Sequence, residues 1–216
     1  MKSENIPAPA IRRLSLYLRQ LEAFRKADRR TVSSKQLGEA LKLTDAQVRK
    51  DLAYFGQFGH PGIGYRVDDL ITEVKKILGT DKPCNVCIVG AGHLGKALTG
   101  YRGFPKKGFQ LVAVFDNDPK KINTKELPDH IPVQPMHEMA ETIERLEIRL
   151  AILCVPAEPA QQVAEQMVAA GIRGILNFAP VSLVVPDGFP VAGVDLAVQL
   201  EQLSFRLGGT KPAENK

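Results

Sequence analysis

The sequence predicts an α/β chain in two parts, a small basic helical domain followed by a doubly wound parallel sheet. Three observations predict it. Positive charge is confined to one end: residues 1–80 carry 15 Lys and Arg against 9 Asp and Glu, net +6, while residues 81–216 carry 14 against 15, net −1. A glycine fingerprint, Gly90-Ala91-Gly92-His93-Leu94-Gly95, directly follows the strand-like run Asn85-Val86-Cys87-Ile88-Val89. Beyond it, short β-branched runs alternate with helix-like segments, the pattern of strands and crossover helices in one sheet.

In the basic part, Ile11, Leu14, Leu18 and Leu21 recur at helical spacing, and Tyr17 and Phe24 widen the stripe, which predicts a helix over 9–27. Ser33 and Gln36 have the spacing of a capping box and open a short helix through Leu41. Thr44 and Gln47 repeat that spacing eleven residues after Ser33 and Gln36. The helix they open places Val48, Leu52 and Phe55 on a core face, with Lys50 opposite, flanked by Gln47, Arg49 and Tyr54. Gly56 supplies a stop.

Two short helices joined tightly, the second with an outward basic and amide face, predict a helix-turn-helix. Arg and Lys suit guanine edges and phosphates, and Gln suits adenine; a solvated helix face carries the same residue types. The run from Gly59 to Val67, with Gly62 and Gly64, predicts a turn between two short strands, the wing of a winged-helix domain. Asp68 is expected to cap a further helix with Leu70, Val74, Ile77 and Leu78 on one side, and Thr80 to Pro83 to form a linker.

In the second part, Phe109 to Phe115 predicts a second strand ending in Asp116, 21 residues past Gly95. The fingerprint then fits a dinucleotide site. Its glycines permit a tight turn and close approach of backbone to pyrophosphate at a helix N-terminus. Asp116 can accept from adenosine ribose hydroxyls and repel a 2′-phosphate, favouring NAD(H) over NADP(H). Lys120 and Lys121 are expected to be solvated loop charges that weaken this preference slightly.

Further strands are predicted at Ile131 to Val133, Ile148 to Val155, Arg173 to Phe178 and Pro190 to Val194, with helices at Met136 to Leu146 and Pro159 to Ala170. Val155, Pro156, Asn177 and Phe178 then fall at the carboxyl edge of the sheet, where they line a cofactor or simply end strands. A last helix, Asp195 to Leu207, is apolar on more than one face and requires cover from its own sheet or from a second subunit.

No stretch reaches the roughly 20 apolar residues that span a bilayer, and the first residues lack the apolar core of a signal peptide. The three cysteines are expected as reduced thiols in a cytoplasmic protein. Cys84 and Cys87 have CxxC spacing, but side chains three apart on a strand face opposite ways, and no second Cys/His pair completes a metal site. No metal is expected.

At this point the chain resembles the Rex family of redox-sensing transcriptional repressors. The resemblance spans residues 6–207 and rests on Gln47 to Gly56, the glycine wing, the fingerprint with Tyr101 following, and Gly174 to Pro180. It implies a homodimer on an inverted-repeat DNA operator, released when NADH replaces NAD+, with the C-terminal helix swapped into the partner. It implies a winged-helix DNA-binding domain over 1–80, a Rossmann-like NAD(H) domain over 81–194, and a swapped helix with polar tail over 195–216. It implies DNA contacts from Ser34, Gln47, Arg49, Lys50, Tyr54, His60, Gly62 and Gly64, cofactor contacts that include Tyr101, and a redox switch at Arg19, Tyr101 and Asp195. Pro61 stands where the family carries Lys or Arg in the wing, a departure that bears on the minor-groove contact.

The rival expectation is an NAD-dependent dehydrogenase with an accessory domain. A hydride-transfer enzyme needs a substrate pocket and a positioned acid or base. The chain after the sheet is short, and its histidines fall in the wing (His60), the glycine turn (His93) and beside the third strand (His130, His137). No catalytic residue and no small-molecule substrate are therefore expected. A regulator sensing another nucleotide, such as coenzyme A, is the third alternative.

Overall fold

The computed structural model describes residues 6–59, 62–122 and 131–208, and the chain divides into two compact units, Met1–Lys82 and Pro83–Lys216. In the first, α1 (Ala8–Lys26), α2 (Ser34–Leu41), α3 (Asp45–Ala53) and α4 (Val67–Ile77) surround one apolar core. Leu14, Leu18 and Leu21 of α1 meet Leu37, Val48, Leu52 and Val74 there. Ile11, expected in the buried stripe, is 46% exposed. The buried residues of α1 are Ala10, Leu14, Tyr17, Leu18 and Leu21, so Ala10 takes the place of Ile11 at its start.

Ser33 and Gln36 form the predicted reciprocal cap. Thr44 forms only half of one: its hydroxyl accepts from Gln47 N, but the Gln47 amide turns forward to Asp51 instead of back. The Asp68 cap is also corrected. Helix α4 begins at Val67 with Arg66 as N-cap, so Asp68 and Asp69 lie within its first turn, where negative charge suits the exposed N–H groups.

The wing differs from the predicted pair of consecutive strands. Strand β2 (Tyr65–Arg66) pairs antiparallel with β1 (Thr31–Val32), which precedes α2. Among the described residues, 54–59 form no strand. Gly64 makes this closure: at φ +83° its backbone passes so near β1 that a Cβ would lie 2.6 Å from Val32 O. His60 and Pro61 lie outside the described residues.

The second unit holds a parallel sheet of six strands in the order β5-β4-β3-β6-β7-β8. They are β3 (Cys84–Val89), β4 (Phe109–Asp116), β5 (Val133–Pro135), β6 (Leu150–Leu153), β7 (Gly174–Asn177) and β8 (Val191–Gly193). Alternation along β3 fills both faces. Cys87 and Val89 join the core containing Met139, Ala160 and Met167 of α7 (Met139–Arg145) and α8 (Ala157–Ala169). Val86 and Ile88 face the other way, toward Leu98 of α5 (His93–Thr99) and Phe104 of α6 (Gly103–Lys106). A sheet covered on both faces is the doubly wound arrangement, and the order in which strands are added reverses between β3 and β6.

The third strand runs two residues later than the spacing predicts, because Val133 to Pro135 pair with Val114 to Asp116. The next helix opens with a 3-10 turn over Met136–Glu138. His130 and the polar tail beyond Gly208 lie outside the described residues. Helix α9 (Leu196–Gly208) does not dock on its own sheet: Leu196 to Leu207 are all exposed, Leu200 at 67% and Phe205 at 84%. No helix among the described residues is long and apolar enough to cross a membrane.

Candidate functional site

At the reversal point β3 ends in Val89 and the chain turns at Gly90, φ +102°. Two close approaches require glycine here. A Cβ on Gly90 would stand 2.5 Å from Cys154 O, and one on Gly95 only 1.9 Å from Gly90 O. The loop and the first turn of α5 therefore press directly on the strand ends. They border a cleft of about 770 Å3 at the carboxyl edge of the sheet, within the range of small-molecule sites.

The cleft brings together Gly90, Gly92, Leu94, Asp116, Val155, Pro156 and Phe178 from the predicted set. The other five are placed elsewhere. Ala91 and Gly95 are buried beneath the loop and shape it. His93 is exposed on α5 and does not line the cleft. Asn177 is buried and staples its own turn, donating to Val181 O at 2.8 Å and accepting from Ala179 N at 2.9 Å. Tyr101 is exposed, its ring edge-on to Phe104 at 4.9 Å.

Asp116 is buried and more heavily engaged than a lone ribose acceptor would be. Its Oδ2 accepts from Ala91 N at 2.7 Å and Lys121 Nζ at 3.1 Å, and its Oδ1 from Asp118 N at 2.8 Å. Burial disfavours its charge, yet the Asp118 N–H, Lys121 and the Ala91 N–H together hold its carboxyl below the usual range. Lys121, expected to be a solvated loop charge, is instead half-buried at the cleft wall between Asp116 and Asp118. Spacing alone could not reveal it, since the turn after β4 bends the chain back on itself.

Cys154 also lines the cleft, but burial pushes its thiol up to about 12, and that of Cys87 likewise. Both are protonated near neutrality and neither is an activated nucleophile. Among the described residues lining the cleft none is a histidine. Cys84 is half-buried and Cys87 fully buried, and no metal-binding cluster occurs among the described residues.

In the first unit, Ser34, Arg49, Gly62 and Gly64 border a groove between α3 and the wing. Arg49 Nη1 donates to Asp45 Oδ2 at 2.7 Å and to Ser34 Oγ at 3.1 Å. Lys50 and Tyr54 are exposed outside the groove, Lys50 on α3 and Tyr54 at its end. His60 lies outside the described residues.

Behind α3 is a polar cluster that no sequence motif marks. Asp51 is fully buried. Arg13 grips it with two donors, Nε to Oδ2 at 2.5 Å and Nη2 to Oδ1 at 2.7 Å, and Tyr17 donates to Oδ2 at 2.6 Å. Gln47 Nε2 donates to Oδ1 at 2.7 Å. Burial opposes the Asp51 charge, and the bonds from Arg13, Tyr17 and Gln47 hold its carboxyl low; burial beside this carboxylate raises the Tyr17 hydroxyl. The signal for it was faint: a carboxylate three residues after Val48, on the buried side of α3.

Of the three expected switch residues, Arg19 is exposed on α1 in the first unit, and the other two lie in the second. Asp195 caps α9, Oδ1 accepting from Ala197 N at 2.9 Å and Val198 N at 3.1 Å. Tyr101 and Asp195 are not hydrogen-bonded to each other among the described residues of the chain.

Two family models match the chain, one in each unit. Residues 5–53 match the family described as putative DNA-binding protein N-terminus, and residues 81–181 match the CoA binding domain. The chain is 48% identical over 207 residues to the redox-sensing transcriptional repressor Rex of Desulforamulus reducens, covering 96% of this chain and 98% of that one. Among solved structures it is similar to RSP in complex with β-NAD+ and operator DNA, with TM-score 0.89 and 40% identity over 94% of this chain and 93% of that one. RSP in complex with β-NADH matches with TM-score 0.82 and 38% identity over 94% and 95%.

Proposed function

The chain belongs to the Rex family of redox-sensing transcriptional repressors, and on that premise we propose how its two sites divide the work. Residues 1–80 bind inverted-repeat operator DNA through α3 and the wing. Residues 81–194 hold NAD(H) in the cleft beside Gly90 to Gly95. Residues 195–216 join two chains into a homodimer. The observation that carries this is the glycine-floored cleft at the sheet reversal, in the same chain as a capped basic helix beside a glycine wing. It is a repressor and not an enzyme; the cofactor is its signal.

Backbone at the glycine loop receives the pyrophosphate, and Val155, Pro156 and Phe178 line the cleft beyond it. A carboxylate has about four acceptor positions. Three are taken at Asp116, so a ribose hydroxyl takes the remaining one or displaces Lys121. Asp116→Ala is expected to weaken NADH binding about 10- to 100-fold, the worth of a hydrogen bond to a charged group, as read by titration of NADH fluorescence. Unaltered affinity would remove Asp116 from ribose recognition.

Reduction removes the positive charge of the nicotinamide ring, a difference that a nearby carboxylate feels directly. Tyr101, Arg19 and Asp195 of two subunits exchange partners in response, and the spacing of the two α3 helices changes with them. A tenfold change in operator affinity needs only about 1.4 kcal/mol of differential binding. The protein acts in the cytoplasm, where operator and nicotinamide pool meet.

The exposed apolar surface of α9 supports the dimer, with the helix swapped into the partner. Leu200→Glu with Leu203→Glu is expected to convert a dimer to a monomer by sedimentation velocity. A wild-type chain already monomeric at micromolar concentration would exclude this role for α9.

The test of the whole is fluorescence anisotropy on a labelled inverted-repeat operator, with NADH titrated against fixed NAD+. NADH releases the protein and NADPH does not. Lys50→Ala weakens operator binding and leaves NADH affinity unchanged. Tight binding indifferent to NADH would defeat the sensing role, and no binding to any sequence selected from random DNA would defeat the repressor.

A further inference from the structure

We propose that Asp51 is a positioning residue for DNA readout, its buried carboxylate fixing the Gln47 side-chain amide so that Gln47 presents one donor–acceptor pair to an adenine edge. This rests on α3 being the element that enters the groove.

An ionised Asp only accepts hydrogen bonds. Arg13 and Tyr17 engage Oδ2, and Arg13 Nη2 engages Oδ1, so the carboxylate is held from the α1 side and cannot turn. Its Oδ1 still faces Gln47, at 2.7 Å from Nε2. An amide rotated by 180° would bring its carbonyl oxygen against that negative oxygen. The amide therefore has one orientation and not two.

One N–H of Gln47 is engaged in this way. The second N–H and Oε1 remain, and together they complement adenine N7 and the N6 amino group in the major groove. Gln47 is the third residue of α3, in the N-terminal part of the helix, the region from which recognition helices reach base edges. It is half-buried, whereas Arg49 and Lys50 are exposed. Arg49 is braced by half-buried Asp45 and Ser34, but Gln47 is braced by a carboxylate that solvent does not reach. The buried cluster thus connects the core of the domain to a single base-reading group. The competing account is that Gln47 and Asp51, four apart on one helix, are an internal brace with no reading role.

The experiment uses the full-length protein and a set of operators in which each half-site adenine is replaced in turn by 7-deazaadenine, which lacks the N7 acceptor. Wild-type affinity is expected to fall about tenfold at one adenine. Gln47→Ala binds the natural operator more weakly and is indifferent to that replacement. Asp51→Asn, whose amide permits either Gln47 orientation, retains NADH affinity but discriminates about twofold or less. Full tenfold discrimination by Asp51→Asn overturns the proposal. So does a wild type insensitive at every adenine while Lys50→Ala still weakens binding. If Lys50→Ala also binds as wild type, the docking of α3 itself has failed. Should Asp51→Asn not fold, the wild-type protein carries the test by NMR. The Gln47 side-chain amide protons are then well separated and slow to exchange, free and on DNA; averaged, fast-exchanging protons overturn the proposal.

Discussion

Gly95→Ala is expected to abolish NADH binding at accessible concentrations and leave a repressor that stays on its operator whatever the NADH level. The added Cβ would lie 1.9 Å from Gly90 O, far inside contact distance. Gly90 cannot retreat. Its N–H donates to Phe115 O at 2.8 Å, and a Cβ of its own would already meet Cys154 O at 2.5 Å, so β4 and β6 close on it from both sides. The first turn of α5 must move outward instead. That widens the loop proposed to seat the pyrophosphate, and overpacking of this kind costs about 1–3 kcal/mol in stability. NADH affinity should fall by more than about 100-fold, roughly 2.7 kcal/mol. Fluorescence titration and calorimetry measure both effects. Affinity within threefold of wild type would mean that this loop is not the pyrophosphate seat.

The second large effect belongs to the buried cluster of the N-terminal unit. Asp51→Ala leaves the buried Tyr17 hydroxyl and the Arg13 guanidinium without their acceptor. An unsatisfied buried hydroxyl costs about 1–3 kcal/mol, and Arg13, whose side chain is 24% exposed, adds less than a fully buried charge would. For a unit of this size that lowers the melting temperature by about 10 °C. The same carboxylate sets a pH dependence. Its folded value lies below the ordinary one, so its contribution is fully present above about pH 4. That contribution disappears as pH falls through the depressed folded value. Acid unfolding of this unit should therefore be steep in the wild type and flatter in Asp51→Ala, as followed by circular dichroism. An unchanged acid midpoint would show that Asp51 is not the group being protonated.

Both effects arise from residues of different legibility. The glycines announce themselves, because a GxGxxG after a β-branched strand has few other uses. Asp51 does not, since its importance depends on Arg13 and Tyr17, more than 30 positions earlier in the chain. Lys121 belongs with Asp51: a lysine after a strand looks solvated until the turn brings it to Asp116. The β1–β2 pairing follows the same logic: it was settled by a partner at a distance, and local spacing could not rank the choices.

What the sequence determined by itself was periodic or local: the capped helices, the alternating strands, the charge division and the glycine fingerprint. These need only neighbours within a turn or a strand, so they are written in short windows. Tertiary structure alone decided which side chains meet, as in Arg13 with Asp51, Lys121 with Asp116, and Val32 with Gly64. It also decided that α9 is left uncovered by its own sheet. The physical reason is that burial and charge pairing depend on what packs from the far side. That neighbour comes from a remote stretch of chain.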